Sequence, residues 1–273
     1  MFGNYQMPKK ESTSLYLHFT SNALAYGVYD PKQNLYTYFN THKNLNSQVE
    51  WDSAFSNDPQ LRLHYSESKA SFTNNLFTLI PKALYEPREF ENYIQFNILE
   101  SELYYKSSKP VVELDAEVLF CIDRDSKIIL SKYYPNSEIY HSAVPLLEGV
   151  LRQAENTIQD RLYIFTWNNY DMEVVALRQG KLALYNHFFL SSPEEFLYYP
   201  LYICEQLGLD RNHLEVYLGG TQNAQTREAE SLKPYFNHFS FLGLPQGFQY
   251  SKEVEKQEGT GMMGSLAYLS LCE

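Results

Sequence analysis

The sequence predicts an α/β protein built from two related lobes, each opened by a β-hairpin. The clearest evidence lies in the second half of the chain, where two strand-like runs, Arg161–Leu177 and Lys181–Phe189, flank a glycine-containing turn. The first half opens in the same way, with strand-like runs at Leu15–Tyr29 and Leu35–Phe39 separated by turn-forming residues. The two hairpins can be aligned so that both reach their turns together, which indicates a weak internal repeat.

The segments after the second hairpin support the same fold class. A long apolar stretch, Glu194–Leu207, is followed by Gly208, where a helix C-cap is expected. A short strand, Leu214–Leu218, then stops on Gly219-Gly220. Many α/β folds build a ligand cleft from a hairpin, a helix and a strand that ends in glycine.

The remaining elements are predicted from hydrophobic spacing and from helix-capping and turn residues. In chain order they are a helix at Ser47–Phe55, a strand at Ser71–Ile80, a helix at Glu89–Ile98, strands at Glu117–Ile122 and Lys127–Tyr134, a helix at Ser137–Ala154, a helix at Gln225–Lys233, a strand at His238–Leu242 and a helix at Met262–Leu271. A polar stretch near Asn156–Asp160 separates the halves, which predicts an N-terminal lobe at 1–156 and a C-terminal lobe at 157–273.

The composition excludes several classes of protein. The net charge is −11 and no block of Lys or Arg occurs, which argues against a nucleic-acid partner and against docking on anionic lipid. The chain has three widely spaced cysteines and no C-x-x-C pair, so we expect reduced thiols in a cytoplasmic protein. No signal peptide or membrane span is predicted.

No catalytic or metal-binding motif stands out. The seven histidines show no H-E-x-x-H pattern, and there is no G-x-S-x-G elbow, so we expect no metal and name no catalytic residue. Asp123 and Asp125 are predicted to be solvated turn formers.

Four stretches carry a resemblance to a known fold, and they are Leu15–Phe39, Tyr163–Phe189, Leu214–Gly220 and Gly264–Ala267. Together they resemble the actin-like ATPase (ribonuclease H-like) fold. Within it the chain is similar to cytoplasmic pilus-assembly and type II secretion proteins, and more closely to an uncharacterised bacterial family given this fold. Likeness of fold alone does not establish an activity.

The resemblance also implies where a nucleotide site would lie. Active members carry Asp-x-Gly at the end of the first strand of each hairpin, where the acid organises Mg²⁺ and the glycine lets the backbone approach phosphates. The matching triplets here are His18-Phe19-Thr20 and Thr166-Trp167-Asn168, which lack both acids and both glycines. The resemblance therefore implies a degenerate cleft, and its candidate cofactor-binding residues are Gly219, Gly220, Thr166, Asn168, His18 and Thr20.

We therefore expect a non-enzymatic cytoplasmic binding or scaffold protein, a pseudo-ATPase with a protein partner and no cofactor, and self-association is a further option. The alternative is a nucleotide-binding ATPase or kinase that takes ATP and Mg²⁺ in an atypical cleft between the lobes. A third option, by analogy with the pilus and secretion proteins, is a structural subunit of an envelope-spanning assembly.

Overall fold

The computed structural model describes residues 9–98, 104–155, 157–168, 171–223, 225–257 and 260–272, which form fourteen strands and eight α-helices. The strands are β1 (Lys9–Phe19), β2 (Ala23–Asp30), β3 (Leu35–Lys43), β4 (His64–Phe72), β5 (Phe77–Pro81), β6 (Tyr104–Val111), β7 (Ala116–Asp123), β8 (Glu138–His141), β9 (Arg161–Thr166), β10 (Asp171–Arg178), β11 (Lys181–Phe189), β12 (Glu215–Gly220), β13 (His238–Phe241) and β14 (Gln249–Tyr250). The helices are α1 (Gln48–Asn57), α2 (Phe90–Asn97), α3 (Arg124–Tyr133), α4 (Ala143–Gln153), α5 (Glu195–Leu207), α6 (Arg227–Leu232), α7 (Lys252–Glu255) and α8 (Met263–Leu269).

The two larger sheets share one plan, in which three antiparallel strands are followed by parallel ones. The first sheet has the order β14-β3-β2-β1-β4-β8, and the second has the order β11-β10-β9-β12-β13. Strand β1 pairs antiparallel with β2 and parallel with β4, just as β9 pairs with β10 and β12. Both hairpins also contain a β-bulge at the corresponding place: the register shifts after Val28 in β2 and after Ala176 in β10, where the partner strands β3 and β11 each have one extra residue. The predicted fold class of two related, hairpin-led lobes is confirmed.

The strand register corrects the alignment of the two hairpins by one residue. Phe19 pairs with Leu24 in the first hairpin, and Thr166 pairs with Met172 in the second. Leu24 and Met172 occupy corresponding positions, because the shared bulge fixes how β2 and β10 align. Thr166 therefore corresponds to Phe19 and not to His18, since the second turn is one residue longer. An alignment without gaps cannot show such an insertion.

The third sheet has the order β5-β7-β6. Its strands lie in the sequence between β4 and β8, which are neighbours in the first sheet. Helix α2 packs on the third sheet and contributes Ile94 to a small core with Ile80, Leu119 and Cys121. A much larger core cluster contains residues of the first sheet, α4 and α8, together with Tyr163, Phe165 and Trp167 of the second lobe. One core cluster therefore spans both lobes, while a second cluster, which includes Leu162, Val174 and Leu218, lies within the second lobe.

One predicted strand, Lys127–Tyr134, is wrong, because this segment lies in helix α3. Asp123 caps the helix, and its Oδ1 accepts a hydrogen bond from the Ser126 backbone N–H at 2.7 Å. This bond satisfies one of the N–H groups that a helix leaves unpaired at its start. The apolar residues Ile129 and Leu130 face the core from one side of α3, so their spacing suits a helix as well as a strand.

Several other predicted elements each span two elements of the structure. The predicted helix Ser137–Ala154 begins with strand β8 before α4, and the predicted strand Ser71–Ile80 is the end of β4 followed by β5. The first strand-like run of each predicted hairpin is itself two strands, β1 and β2 in the first lobe and β9 and β10 in the second. A tight turn joins β1 to β2. In this turn, the Ala23 backbone N–H donates to Thr20 Oγ1 at 3.1 Å. Helices α1, α2, α5, α6 and α8 and strands β7, β12 and β13 lie where the sequence predicted an element of that type.

The last part of the chain returns to the first lobe. Strand β14 pairs in parallel with the start of β3, and α8 packs against α4. Gly149 of α4 makes the helix contact possible, because a Cβ there would overlap the ring of Tyr268. Residue 156, at the predicted lobe boundary, lies outside the described residues, so the division at 1–156 and 157–273 stays a prediction. None of the described helices has the length and apolar character needed to cross a membrane.

Candidate functional site

The turns of the two hairpins contact each other directly. Asn168 Nδ2 lies 3.2 Å from Thr20 Oγ1, 3.1 Å from Ser21 Oγ and 3.1 Å from Asn22 Oδ1. The Ser21 hydroxyl donates to Asp171 Oδ2 at 2.6 Å, and Asn168 Nδ2 donates to the same oxygen at 2.7 Å. We call this set of hydrogen bonds the turn contact. It joins the lobes where each first strand ends.

Asp171 is the acidic centre of the turn contact and is only 2% exposed. Burial by itself raises the pKa of its carboxyl, but hydrogen bonds from His187, Ser21 and Asn168 outweigh burial and hold the pKa below its usual value. His187 Nε2 lies 3.0 Å from Asp171 Oδ1. The ionised carboxylate can therefore stay buried because polar groups surround it.

A second buried acid, Glu173, lies two residues further along β10. It is fully buried and accepts hydrogen bonds from the Ser142 hydroxyl at 2.6 Å, the Tyr185 hydroxyl and the Trp167 indole. Burial raises the pKa of its carboxyl despite these donors. Glu173 thus links β10, β11, the second turn and the residue that precedes α4.

His18 is fully buried on the other side of the lobe boundary. Its Nδ1 lies 2.9 Å from Ser71 Oγ, its Nε2 lies 3.3 Å from Thr73 Oγ1, and its ring centre lies 4.5 Å from that of Trp167. Burial lowers the pKa of His18 to about 3, so the ring is neutral at physiological pH. Such a ring is a packed polar residue of the interior.

The Gly219-Gly220 pair packs closely against Phe165 and Thr166 of β9. Gly220 has a φ of +78°, and a Cβ there would overlap the Thr166 carbonyl oxygen. A Cβ on Gly219 would lie 2.7 Å from the Phe165 ring. Both positions require glycine because β12 and β9 approach closely, and Thr166 Oγ1 also lies 3.1 Å from Thr221 Oγ1.

Two cavities adjoin the turn contact. The first has a volume of about 800 Å³ and is lined by Thr20, Ser21 and Asp171, by residues at the start of α1 and α3, and by the end of β11. The second has a volume of about 670 Å³ and is lined by residues of both lobes, among them Lys43, Thr166, Asn168 and Thr221.

The structure brings the six residues predicted for the cleft into one region, but gives them different surroundings. Thr20 lines the first cavity, while Thr166 and Asn168 line the second. His18 is enclosed, and the Gly219-Gly220 pair packs against β9. The role of these residues in cofactor binding stays a prediction.

Sequence reasoning missed Asp171, Glu173 and His187. One signal was present, because Asp171 and Glu173 interrupt an otherwise apolar strand, and buried charges in a strand need partners. The partner of Asp171 on β11 is 16 residues away, and only the hairpin register brings the two together. Across the part of the chain that is described, no group of three or more His, Cys, Asp or Glu side chains is arranged to hold a metal ion.

Comparisons with known proteins agree with this architecture. A family model described as "Protein of unknown function (DUF3822)" matches residues 3–239. A search of curated proteins gave no significant match. A crystal structure from Bacteroides thetaiotaomicron VPI-5482, described as a protein with actin-like ATPase fold and unknown function, is 19% identical with a TM-score of 0.76, over 99% of this chain and 100% of that chain.

Two further structures are similar over nearly the whole chain. The PilM–PilN type IV pilus biogenesis complex gives a TM-score of 0.59 at 12% identity, over 97% of this chain and 98% of that chain. The cytoplasmic domain of EpsL, from the type II secretion system of Vibrio cholerae, gives 0.49 at 11% identity, over 95% of each chain. The actin-like ATPase fold that the sequence predicted is confirmed.

Proposed function

The chain belongs to the family described as "Protein of unknown function (DUF3822)", and on that premise we propose that it is a cytoplasmic protein-binding scaffold that does not hydrolyse nucleotide. The turn contact is the observation that carries this proposal. In active members of the fold, the ends of both first strands face the phosphates and Mg²⁺. At the ends of these strands here, Asn168 and Ser21 form hydrogen bonds between the lobes.

The polar chemistry of the turn contact supports the proposal. None of the residues from His18 to Ser21 or from Phe165 to Asn168, which cover the predicted triplets in either register, is an acid or a glycine. The nearby acid, Asp171, is held by His187, Ser21 and Asn168, so its lone pairs already have donors. An ion such as Mg²⁺ would have to displace these partners, and it keeps its hydration shell strongly.

The fold is compatible with a role in binding another protein. PilM, which shares the fold, is found in a complex with PilN, and a fold that carries no nucleotide chemistry can still serve as a rigid platform. The three cysteines are all free and buried, which fits a reducing compartment. Self-association is the other form that such a scaffold could take.

The proposal is tested with the purified full-length protein, ATP and Mg²⁺. We expect no phosphate release above background and no change in melting temperature at millimolar ATP, since a ligand that binds the folded state raises it by mass action. An active actin-like ATPase in the same assay is the positive control. ATP turnover that disappears in an Asn168→Ala variant would contradict the proposal.

The second cavity favours one alternative, a nucleotide-binding protein. It is lined by residues of both lobes, to which Lys43 contributes a cation and Thr166 and Thr221 contribute hydroxyls. Under this alternative, ATP raises the melting temperature of the native protein, and Lys43→Gln reduces that rise. Lys256→Gln is the matched control, since Lys256 is exposed and does not line this cavity.

A further inference from the structure

The first cavity is acidic. Three carboxylates line it, those of Asp123, Asp125 and Asp171, and no Lys or Arg is found among the described residues that form its wall. Asp123 and Asp125 are exposed, whereas Asp171 lies at the buried end beside His187. The cavity therefore presents negative charge both to solvent and at its base, which attracts cations.

One wall of the same cavity is aromatic. Trp51 of α1 is partly exposed, and its ring stacks on Phe19 with 5.4 Å between centres and 17° between planes. Phe19 in turn stacks on Phe72 at 4.5 Å. The face of a tryptophan ring is the strongest aromatic site for an ammonium or guanidinium group. The rings and the carboxylates thus favour the same kind of ligand.

His187 supplies an independent observation. Its side chain is only 3% exposed, yet its Nδ1 has no hydrogen-bond partner. The carboxylate of Asp171 can only accept, so the ring nitrogen that carries hydrogen is Nε2, which faces Asp171. In the neutral ring, Nδ1 is then an acceptor without a donor, and a buried polar atom is costly to leave in this state. A ligand that brings N–H donors would supply what this wall lacks.

The N-termini of α1 and α3 also reach this cavity, and alone they would favour an anion. The carboxylates in this cavity argue against an anion. Asp123 caps α3 and Asp125 lies in its first turn, so acidic side chains already occupy the positions that an anion would take. At the start of α1, Ser47 caps the helix and accepts from the Glu50 N–H, and Glu50 adds a further acid there.

We propose that the first cavity receives a Lys or Arg side chain from a segment of a partner protein. Lys and Arg carry only donors, and the acceptors here are the carboxylates of Asp123 and Asp125 and, in the neutral ring, the Nδ1 of His187. The buried charge of Asp171, whose oxygens already have donors, adds attraction from behind. The net charge of −11 steers a basic partner toward the molecule, and the cavity supplies the specific site. This inference rests on the proposed binding function and names the chemistry of the partner.

Tryptophan fluorescence tests the inference with defined probes. The intact protein is titrated with acetyl-Arg-Arg-Arg-amide, and with acetyl-Glu-Glu-Glu-amide as the matched probe, at about 0.15 M salt to screen surface charge. The chain has two tryptophans, and Trp167 is buried, so a change reports on Trp51. We expect a saturable change with the arginine probe alone, and its loss in Trp51→Phe.

Two pairs of charge-removing substitutions distinguish binding in the first cavity from general electrostatic attraction of the probe to the acidic protein. Asp123→Asn with Asp125→Asn keeps a good helix cap and should weaken binding of the arginine probe at least about fivefold, because a cation loses two partners. Glu253→Gln with Glu255→Gln removes the same charge from exposed positions on α7 and should change binding less than about twofold.

Two results would overturn the inference. One is the absence of a saturable response to the arginine probe, and the other is equal weakening by the two pairs of substitutions. Neither result would touch the proposed scaffold function, which depends on the ATP assays. Conversely, ATP turnover would contradict that function even if the arginine probe binds.

Discussion

Two histidines in the interior connect single residues to the pH dependence of stability. His18 and His141 are both fully buried, and burial lowers the pKa of each to about 3. His141 accepts the Ala143 N–H on Nδ1 at 3.1 Å, and its Nε2 lies 3.0 Å from the Asn74 carbonyl oxygen. Both rings are therefore held neutral in the folded state, while in the unfolded chain they titrate near the ordinary value of 6.5.

We predict that the free energy of unfolding falls as the pH drops below 6.5. A depressed folded-state pKa contributes stability that is complete above the unfolded value and is lost as the pH falls toward 3. Each histidine contributes a slope of up to about 1.4 kcal/mol per pH unit. Urea denaturation between pH 7.5 and 5 measures the slope, and His18→Gln should reduce it. Glu173, whose pKa is raised, acts in the opposite direction. A slope unchanged in His18→Gln would contradict the assignment.

We predict that Gly220→Ala is strongly destabilising and that Gly208→Ala is not. Both glycines have positive φ, +78° and +61°. A Cβ at Gly220 meets the backbone of Thr166, whereas Gly208, which caps α5, has nothing within 4 Å. The first change should cost more than about 3 kcal/mol through steric overlap and strain, and the second about 1 kcal/mol through strain alone. Urea denaturation of both variants measures this difference, and equal costs would refute the packing argument.

The residues of the turn contact show where sequence reasoning stopped. It selected Thr20 and Asn168, which do meet, because the resemblance to the actin-like fold placed their triplets at the ends of the first strands. It could not find the pairing of Asp171 with His187, because that pair depends on the register of two strands. Local pattern predicts where a side chain lies along the chain, whereas partners come from the tertiary structure.

At the scale of the elements, helices α4 and α8 pack closely against each other. Tyr268 lies over Gly149, and its hydroxyl accepts from the Gln153 side-chain amide. We predict that Gly149→Ala destabilises the protein by about 2 to 4 kcal/mol, because the ring must move and the helices must separate. The free energy of unfolding of this variant is the measurement.

A double-mutant cycle provides the control. Tyr268→Leu replaces the ring with a smaller side chain, so Gly149→Ala should cost less in that background than in the native one. Costs that simply add would show that the ring is not what the new methyl group meets.

The prediction of elements failed where one pattern suits two structures. The segment that forms α3 has the apolar triplet Ile128-Ile129-Leu130, typical of strands, but Asp123 starts a helix there. Long elements with clear ends, such as α5 with Gly208 at its C-cap, were predicted correctly. Capping residues therefore deserve more weight than short apolar runs.

At the scale of the whole molecule, the first lobe depends on the last part of the chain. The Tyr36 hydroxyl donates to the Leu266 carbonyl oxygen at 3.0 Å, and Lys69 Nζ donates to the Cys272 carbonyl oxygen at 2.5 Å. We predict that a chain ending at Phe248, which lacks β14, α7 and α8, loses hydrogen-exchange protection in β1 to β4. The second sheet should keep more of its protection, because its core cluster contains no residue after Phe241.

Leu266→Ala in the full-length chain is the control for that truncation. It removes a buried side chain and should lower stability by about 2 to 5 kcal/mol, but it leaves the backbone bonds of β14 in place. Equal loss of protection in both sheets of the truncated chain would contradict the prediction and show that the lobes unfold as one unit.

The return of β14 and α8 to the first sheet also has a consequence during synthesis. A ribosome releases the N-terminal lobe first, and domains generally fold in that order as they emerge. Here the first sheet and its core are incomplete until residues 249–269 have been synthesised, because β14 pairs with β3 and residues of α8 belong to the core. Until then the nascent chain exposes apolar surface that a chaperone can bind, whereas the second lobe, made later, has its own core cluster as soon as β13 has emerged.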